Sequence, residues 1–368
     1  MPERTVMLPG LLPAGPDEAL TGGGREIWAE LGAAGALRSA YRGGDPALGV
    51  DPAGLGRLLS EVDSQAAVGA TLSLCVQLAT AVPLLATGSG PAGAALAGAL
   101  AGTSVTALAA TDTTAGSDLT ALGTEVSIGD HELVLRGGKR WITNATQADQ
   151  ILVLARHRPG RHFTNFTWVL VPASAAGVTA RPADTELFAG AGVGHLTFED
   201  VRLPREHLVG RPGRGLAAFA RQIAVERLAG ALWAVALCRR ALAATKAGLE
   251  DPARSDEPLW RHDSVRQRFA ACVVAVRQLH ALCRELGDRV ASRHDAAAAA
   301  LLKASAGMTA ERVLADCAQL QGADGFAAGG AQWLRAQAAV FGIGGGVTEV
   351  VLSAVADSAD ALLAETGG

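Results

Sequence analysis

The sequence predicts an α+β multidomain chain in three consecutive blocks: helices, then strands, then helices again. Apolar residues recur at helical spacing up to about residue 105, in short strand-like runs from 106 to 212, and at helical spacing again from 213 to 368. No strand alternates with a helix, which argues against a parallel doubly wound sheet. The 368 residues are 49% hydrophobic and only 18% charged, so the chain has ample core material and wholesale disorder is excluded. Domains are therefore expected at 1–105, 106–212 and 213–368. With 45 glycines, 4% aromatics and a single tyrosine, the helices are expected to pack closely through small side chains.

In the first block, REIWAELGAAGAL places apolar residues at helical spacing, and VDSQAAVGATLSLCVQLATAVPLL continues as a buried helix pattern. In the second, SVTALAATD, TEVSI, HELVLRG, QILVLARH, FTWVLVPA and VGHLTFEDV are short, often β-branched runs bounded by Gly, Asp, Asn or Pro. Gly129-Asp130 and Gly137-Gly138 read as hairpin-type turns. In the third, Leu228, Leu232 and Val235 follow helical spacing. Val265, Phe269, Cys272, Val276, Leu279, Cys283, Leu286 and Val290 trace one face of a long helix. A third helix is expected over about Asp295 to Leu320, and a fourth after Gly346.

Several function classes are excluded or disfavoured. Lys plus Arg is 32 against 36 Asp plus Glu, so no basic excess supports nucleic-acid binding. Five cysteines (Cys75, Cys238, Cys272, Cys283, Cys317) form no CxxC pair and read as reduced, buried thiols. Eight histidines show no ligand spacing, so no metal is expected. The N-terminus lacks a basic region followed by a long apolar run, so no signal peptide is expected and the chain is placed in the cytoplasm. Ser64 to Thr111 carries no charge, but Gln65, Gln77, Pro83, Gly88, Gly90 and Pro91 interrupt it. It reads as buried helices rather than a membrane span. The cluster Gly342, Gly344, Gly345, Gly346 fails the GxGxxG fingerprint and follows a helix, and neither GxSxG nor GxxxxGK[ST] occurs.

Four segments carry chemistry. TDTTAGSD, Thr111 to Asp118, sets hydroxyls and a Gly after a strand, where backbone N–H groups can face an anion or ring carbonyl; an ordinary turn is the alternative. In GKRWITNATQAD, Trp141 and Thr143 would share a strand face that either stacks on a flat cofactor or is simple core. FEDVRLPREHLVG leads from a strand through Pro204 into a loop. AVERLAGA places Glu226 and Arg227 among apolar residues, where Glu226 is either an ion-paired structural residue or a base with a raised pKa.

In this order, with QLQGADGF and IGGGVTEV, these motifs resemble the flavin-dependent acyl-CoA dehydrogenases over nearly the whole chain. The resemblance implies an N-terminal α-helical domain, a middle β-barrel-like domain and a C-terminal four-helix bundle. It implies FAD between the last two, lined by Leu108, Ala110, Thr111, Gly116 and Ser117, with Ser117 also near the substrate's pantetheine. Trp141, Ile142 and Thr143 would pack on the ring, with Thr348 and Glu349 also at the cofactor. Gln319 and Gly322 would approach the FAD of a neighbouring subunit, in a homotetramer or homodimer. Ala224, Val225 and Arg227 would line the substrate.

The chain departs from the family pattern in two places. The usual base, Glu in Y-E-G-T, is Gly345 here. A subset including isovaleryl- and long-chain acyl-CoA dehydrogenases carries its base on the earlier helix, at the position of Glu226. The expected pair is therefore Glu226 as base and Gly345 as backbone donor to the thioester carbonyl, with Glu349 and Asp112 as weaker base candidates. Where the family has R-x-x-F-G-x-P, this chain reads PARSDEPLWRHD; Pro258 aligns, and Arg254 is the nearest arginine. The implied reaction is α,β-dehydrogenation of an acyl thioester on CoA or an acyl carrier protein. Electrons would pass to an electron-transfer flavoprotein or O₂. A flavin monooxygenase or oxidase on the same fold, and a non-catalytic relative, are the alternatives.

Overall fold

The computed structural model describes residues 23–112, 118–252 and 257–365. The first block is helical: α1 (Gly24–Ala33), α2 (Pro52–Gln65), α3 (Val68–Val76), α4 (Val82–Leu85) and α5 (Pro91–Leu100). Asp51 caps α2 by accepting from Gly54 N at 2.9 Å, with Pro52 preset for the first turn. A π-helical turn, Gln77–Ala81, joins α3 to α4. The Tyr41 hydroxyl donates to Leu78 O within it, at 2.9 Å. The stretch Val68–Leu85 is apolar and long enough to cross a membrane, yet most of it is buried in the protein's own core.

Among the described residues, eight strands form one sheet: β1 (Thr106–Ala109), β2 (Glu125–Ile128), β3 (Glu132–Ile142), β4 (Gln150–Arg156), β5 (Phe166–Pro172), β6 (Val178–Pro182), β7 (Gly194–Pro204) and β8 (Leu208–Val209). The order is β6-β7-β3-β2-β4-β5-β8, with β1 parallel to β4. Both faces of β4 and β5 are covered. Ile151, Val153 and Val169 enter one core, while Leu152, Leu154, Phe166 and Trp168 pack against α4, α5 and the helix that follows β8. This explains their continuous apolar runs.

Gly129-Asp130 does lie in the turn between β2 and β3. Gly137-Gly138 does not: both sit inside β3, where expecting a turn was wrong. Gly137 has φ 131°, and a β-carbon there would stand 2.6 Å from Thr124 Cα. Glycine is therefore required where β3 leaves β2 and takes Asp112 as its new neighbour, opposite Lys139.

The third block holds α6 (Gly215–Glu250), α7 (Asp263–Arg293), α8 (Ala296–Gln321), α9 (Ala331–Ala338), α10 (Val340–Ile343), α11 (Thr348–Asp357) and α12 (Ala359–Glu365). On α7, Phe269, Cys272, Val276, Leu279, Cys283, Leu286 and Val290 are all buried, as their spacing predicts. His294, at φ 52°, stops α7, and Asp295 caps α8 by accepting from Ala298 N at 3.0 Å. All five cysteines are buried and unpaired.

Candidate active site

Glu226 lies on the long α6, among the buried Ala224, Val225 and Leu228. It is half-buried, and no hydrogen bond to its carboxylate occurs among the described residues. Loss of water pushes its pKa up to about 7, against the pull of the Arg227 and Lys303 cations. Neighbouring positions on a helix do not face each other. Arg227 instead bonds the turn after α10, its Nε donating to Gly345 O at 2.9 Å. Glu226 is thus not the ion-paired structural residue that the sequence also allowed.

Gly345 belongs to the turn between α10 and α11 and has φ 71°. A β-carbon there would lie 3.5 Å from Arg227 Cγ, 3.8 Å from Lys303 Cε and 4.0 Å from Glu226 Oε1. Three charged side chains from α6 and α8 therefore converge on one glycine. Lys303, buried in α8, donates from Nζ to Phe341 O, just before the turn. Burial, and then Arg227, bring its pKa down to about 8. Thr348 Oγ1 donates to Gly342 O at 3.1 Å, closing the turn from its other side. Cys75 on α3 also feels Glu226, although burial is the larger reason its thiol is pushed up.

The second part of the site follows β1. Leu108 is half-buried, Ala110 is buried and Thr111 is exposed. Gly116 and Ser117 lie outside the described residues, as does Arg254. Asp112 is buried, and its Oδ2 accepts from Thr124 N at 2.9 Å and Thr124 Oγ1 at 2.8 Å. Lys139 Nζ stands 3.6 Å from that oxygen and donates to Ala110 O at 3.0 Å. Burial lowers the Lys139 pKa to about 8, opposed by Asp112. Asp112 is a structural anchor of the segment, and its candidacy as base is withdrawn.

The strand argument for Trp141 and Thr143 also needs correction. Trp141 has φ 55° and β3 bulges there, so strict alternation does not hold, and Thr143 lies beyond the strand's end. The indole is exposed, with its ring centroid 5.5 Å from the His195 ring at a right angle. Trp141 N donates to His195 Nδ1 at 3.2 Å. Ile142 is buried in the sheet core. Glu349 is exposed in the first turn of α11, and Lys303 feels its charge. Gln319 is exposed near the end of α8, and Gly322 caps that helix at φ 59°. Both lie about 24 Å or more along α8 from Lys303.

Lys139, Lys303 and the Asn144 network were missed in the sequence. Asn144, at φ 69°, accepts from Ser73 Oγ at 2.6 Å and from Gln147 Nε2 at 2.7 Å, tying the motif to α3. Arg25 and Asp149 form a two-bond pair at 2.9 Å that ties it to α1. A single lysine inside AALLKASAG was the available signal for Lys303.

Residues 107–201 match the model of the acyl-CoA dehydrogenase middle domain, and residues 213–359 that of the acyl-CoA dehydrogenase C-terminal domain. The acyl-[acyl-carrier-protein] dehydrogenase MbtN of Mycobacterium sp. (strain MCS) is 31% identical over 266 residues, covering 70% of this chain and 67% of the relative. A probable acyl-CoA dehydrogenase from Mycobacterium abscessus superposes with a TM-score of 0.84 at 22% identity, covering 90% of both chains. A glutaryl-CoA dehydrogenase from Mycobacterium smegmatis, in complex with FADH2, does so with a TM-score of 0.82 at 21% identity, covering 91% of this chain and 86% of that one. The chain belongs to the acyl-CoA dehydrogenase family and is an oxidoreductase that dehydrogenates acyl thioesters.

Proposed function

We propose that this chain is an FAD-dependent acyl-thioester dehydrogenase in which Glu226 removes the substrate's α proton. The observation that carries the reading is the half-buried Glu226 carboxylate, 4.0 Å from the place a Gly345 side chain would fill. The space left by the missing side chain is the space a relocated base needs.

The residues present fit FAD. Trp141 has an exposed indole, Thr111 is exposed and Thr143 half-buried, and Arg140 N donates to Thr111 O at 3.2 Å, which brings the two segments together. Lys139 fixes the Ala110 carbonyl and Asp112 on the same segment. Leu108 to Thr111 and Trp141 to Thr143 would hold the isoalloxazine; bound FAD supplies the acceptor for the β hydride. Gln319 and Gly322, at the far end of α8, would serve a neighbouring subunit's FAD. The exposed Phe326, Trp333, Ile343, Val350, Leu352 and Leu363 support a homo-oligomer.

The chain's own contribution is proton transfer, polarisation and dryness. An α C–H is a weak acid, so the thioester carbonyl must be polarised as the proton leaves. A fixed donor such as Gly345 N–H is worth about 3 kcal/mol in such a role. A base poised near working pH contributes about 10²–10⁴-fold, and burial places Glu226 there. Arg227 holds the Gly345 carbonyl and so anchors the turn that carries the Gly345 N–H. The thioester rides on CoA or a carrier protein, and an electron-transfer flavoprotein or O₂ reoxidises the cofactor.

The visible spectrum of the purified protein, followed by anaerobic mixing with acyl-CoAs and acyl carriers, tests this. The reading expects a flavin spectrum that bleaches. A flavin spectrum that no thioester bleaches contradicts it.

A further inference from the structure

A basic rim stands at the N-terminal end of α6, away from the carboxylate cluster. The turn between β4 and β5 reads Arg156-His157-Arg158-Pro159-Gly160-Arg161-His162, and Arg158, Arg161 and His162 are exposed. Asn165 closes this turn: its Nδ2 donates to Pro159 O at 2.9 Å, and its carbonyl accepts from His157 N at 2.8 Å. The loop leading into α6 carries exposed Arg211 and Arg214 and packs directly on the same element. A β-carbon on Gly213 would stand 2.8 Å from Thr164 O. This contact sets the loop carrying Arg211 and Arg214 beside the segment that closes the turn carrying Arg158 and Arg161. Phe163 lies on it with an exposed ring, 4.8 Å from the His162 ring.

The rim has little structural work. Arg161 faces Asp118 at 3.5 Å, at the end of the TDTTAGSD segment. Among the described residues, Arg158, Arg211 and Arg214 have no carboxylate partner. A chain of net charge −4 thus keeps three unpaired arginines and an exposed phenylalanine together. Such a face attracts an acidic partner and offers it an apolar contact. It is spread over two loops with every arginine exposed, unlike the concave pockets that small nucleotides occupy.

We infer that this rim docks an acidic acyl carrier protein, whose phosphopantetheine arm runs beside α6 and delivers the acyl thioester to Glu226. The inference rests on the thioester reading above. Arg214 occupies the N-cap position of α6 without a side-chain cap bond, and Glu226 lies about 18 Å further along the same helix axis. That is the reach of an extended phosphopantetheine arm, so a carrier seated on the rim places its thioester at the carboxylate.

The test uses the full chain with its flavin bound and the double variant Arg158→Glu/Arg211→Glu. Arg161 and Arg214 are left in place because one pairs with Asp118 and the other adjoins the first residue of α6. Octanoyl and dodecanoyl groups are offered on a bacterial fatty-acid carrier protein, on CoA and on pantetheine, and anaerobic bleaching is followed. The variant is expected to keep its flavin and its thermal midpoint. Its KM for the carrier-bound substrate should rise about tenfold or more, while KM for acyl-pantetheine stays within about twofold. In the parent chain, added salt should raise the carrier-bound KM. An unchanged carrier-bound KM overturns the inference, as does an equal loss toward acyl-CoA, which would assign the rim to the nucleotide phosphates. If no thioester bleaches the parent chain, the thioester reading itself falls, a result distinct from failure of the rim.

Discussion

Glu226 Oε1 lies 4.0 Å from the point where a β-carbon on Gly345 would stand. The two positions, on α6 and on the turn after α10, address one volume from opposite sides. A carboxylate can fill it from either wall, and this chain fills it from the helix.

Gly345→Ala tests the turn without touching the carboxylate. The nearest contact of the new methyl, 3.5 Å to Arg227 Cγ, is ordinary van der Waals contact, so the cost comes from the backbone at φ 71°. That cost is about 1 kcal/mol. The variant should lose a few degrees of thermal midpoint, keep its flavin, and reduce it more slowly because the donor N–H is displaced. Full-rate reduction would place Gly345 N–H away from the reacting carbonyl.

The pH dependence follows from Glu226 and the groups that face it: Arg227 on its own helix, Lys303 on α8 and Cys75 on α3, with Glu349 on α11 acting on Lys303. A carboxylate takes a proton only when ionised, and the pKa of Glu226, the proposed base, is raised to about 7. Substrate-driven flavin reduction should therefore rise through pH 7 and level off above it. The same shift means that ionising Glu226 costs folded-state stability, which falls as pH climbs from the ordinary 4.5 toward 7. Lys303→Met removes a cation that favours the charged carboxylate, so its profile should move to higher pH by about one unit. Lys303→Arg should restore the parent profile. A Lys303→Met profile that loses amplitude without moving would make Lys303 a packing residue.

Lys139 and Asp112 make a stability prediction. Both are buried, and removing one partner strands the other's charge. Lys139→Met should cost about 3–5 kcal/mol in chemical denaturation. Adding Asp112→Asn should recover part of that loss. Simple addition, with the double variant losing as much as Lys139→Met and Asp112→Asn do separately, would show that the pair does not interact.

The block order and most elements were legible because periodicity reports burial. The α7 face and the β4 and β5 runs follow from apolar spacing alone. Gly137 was misread because a glycine pair signals a turn equally well as a bulge where two backbones meet, and only tertiary contact with Thr124 separates the two. Trp141 escaped the alternation rule because a left-handed residue breaks the pleat. Glu226 could be singled out from one helix segment. Its partner Lys303, 77 residues later, could not, because nothing local says that α8 brings it to the same glycine turn. The motif GKRWITNATQAD held a similar surprise: Lys139, Asn144 and Asp149 anchor the sheet to its loops and helices.

The most direct test of the account is anaerobic flavin reduction by an acyl thioester in Glu226→Gln, a substitution that keeps shape and removes the proposed base. The account predicts a protein with unchanged flavin content and fold whose reduction slows by about 10²-fold or more. Reduction at the parent rate would contradict it, and would show that another group takes the α proton.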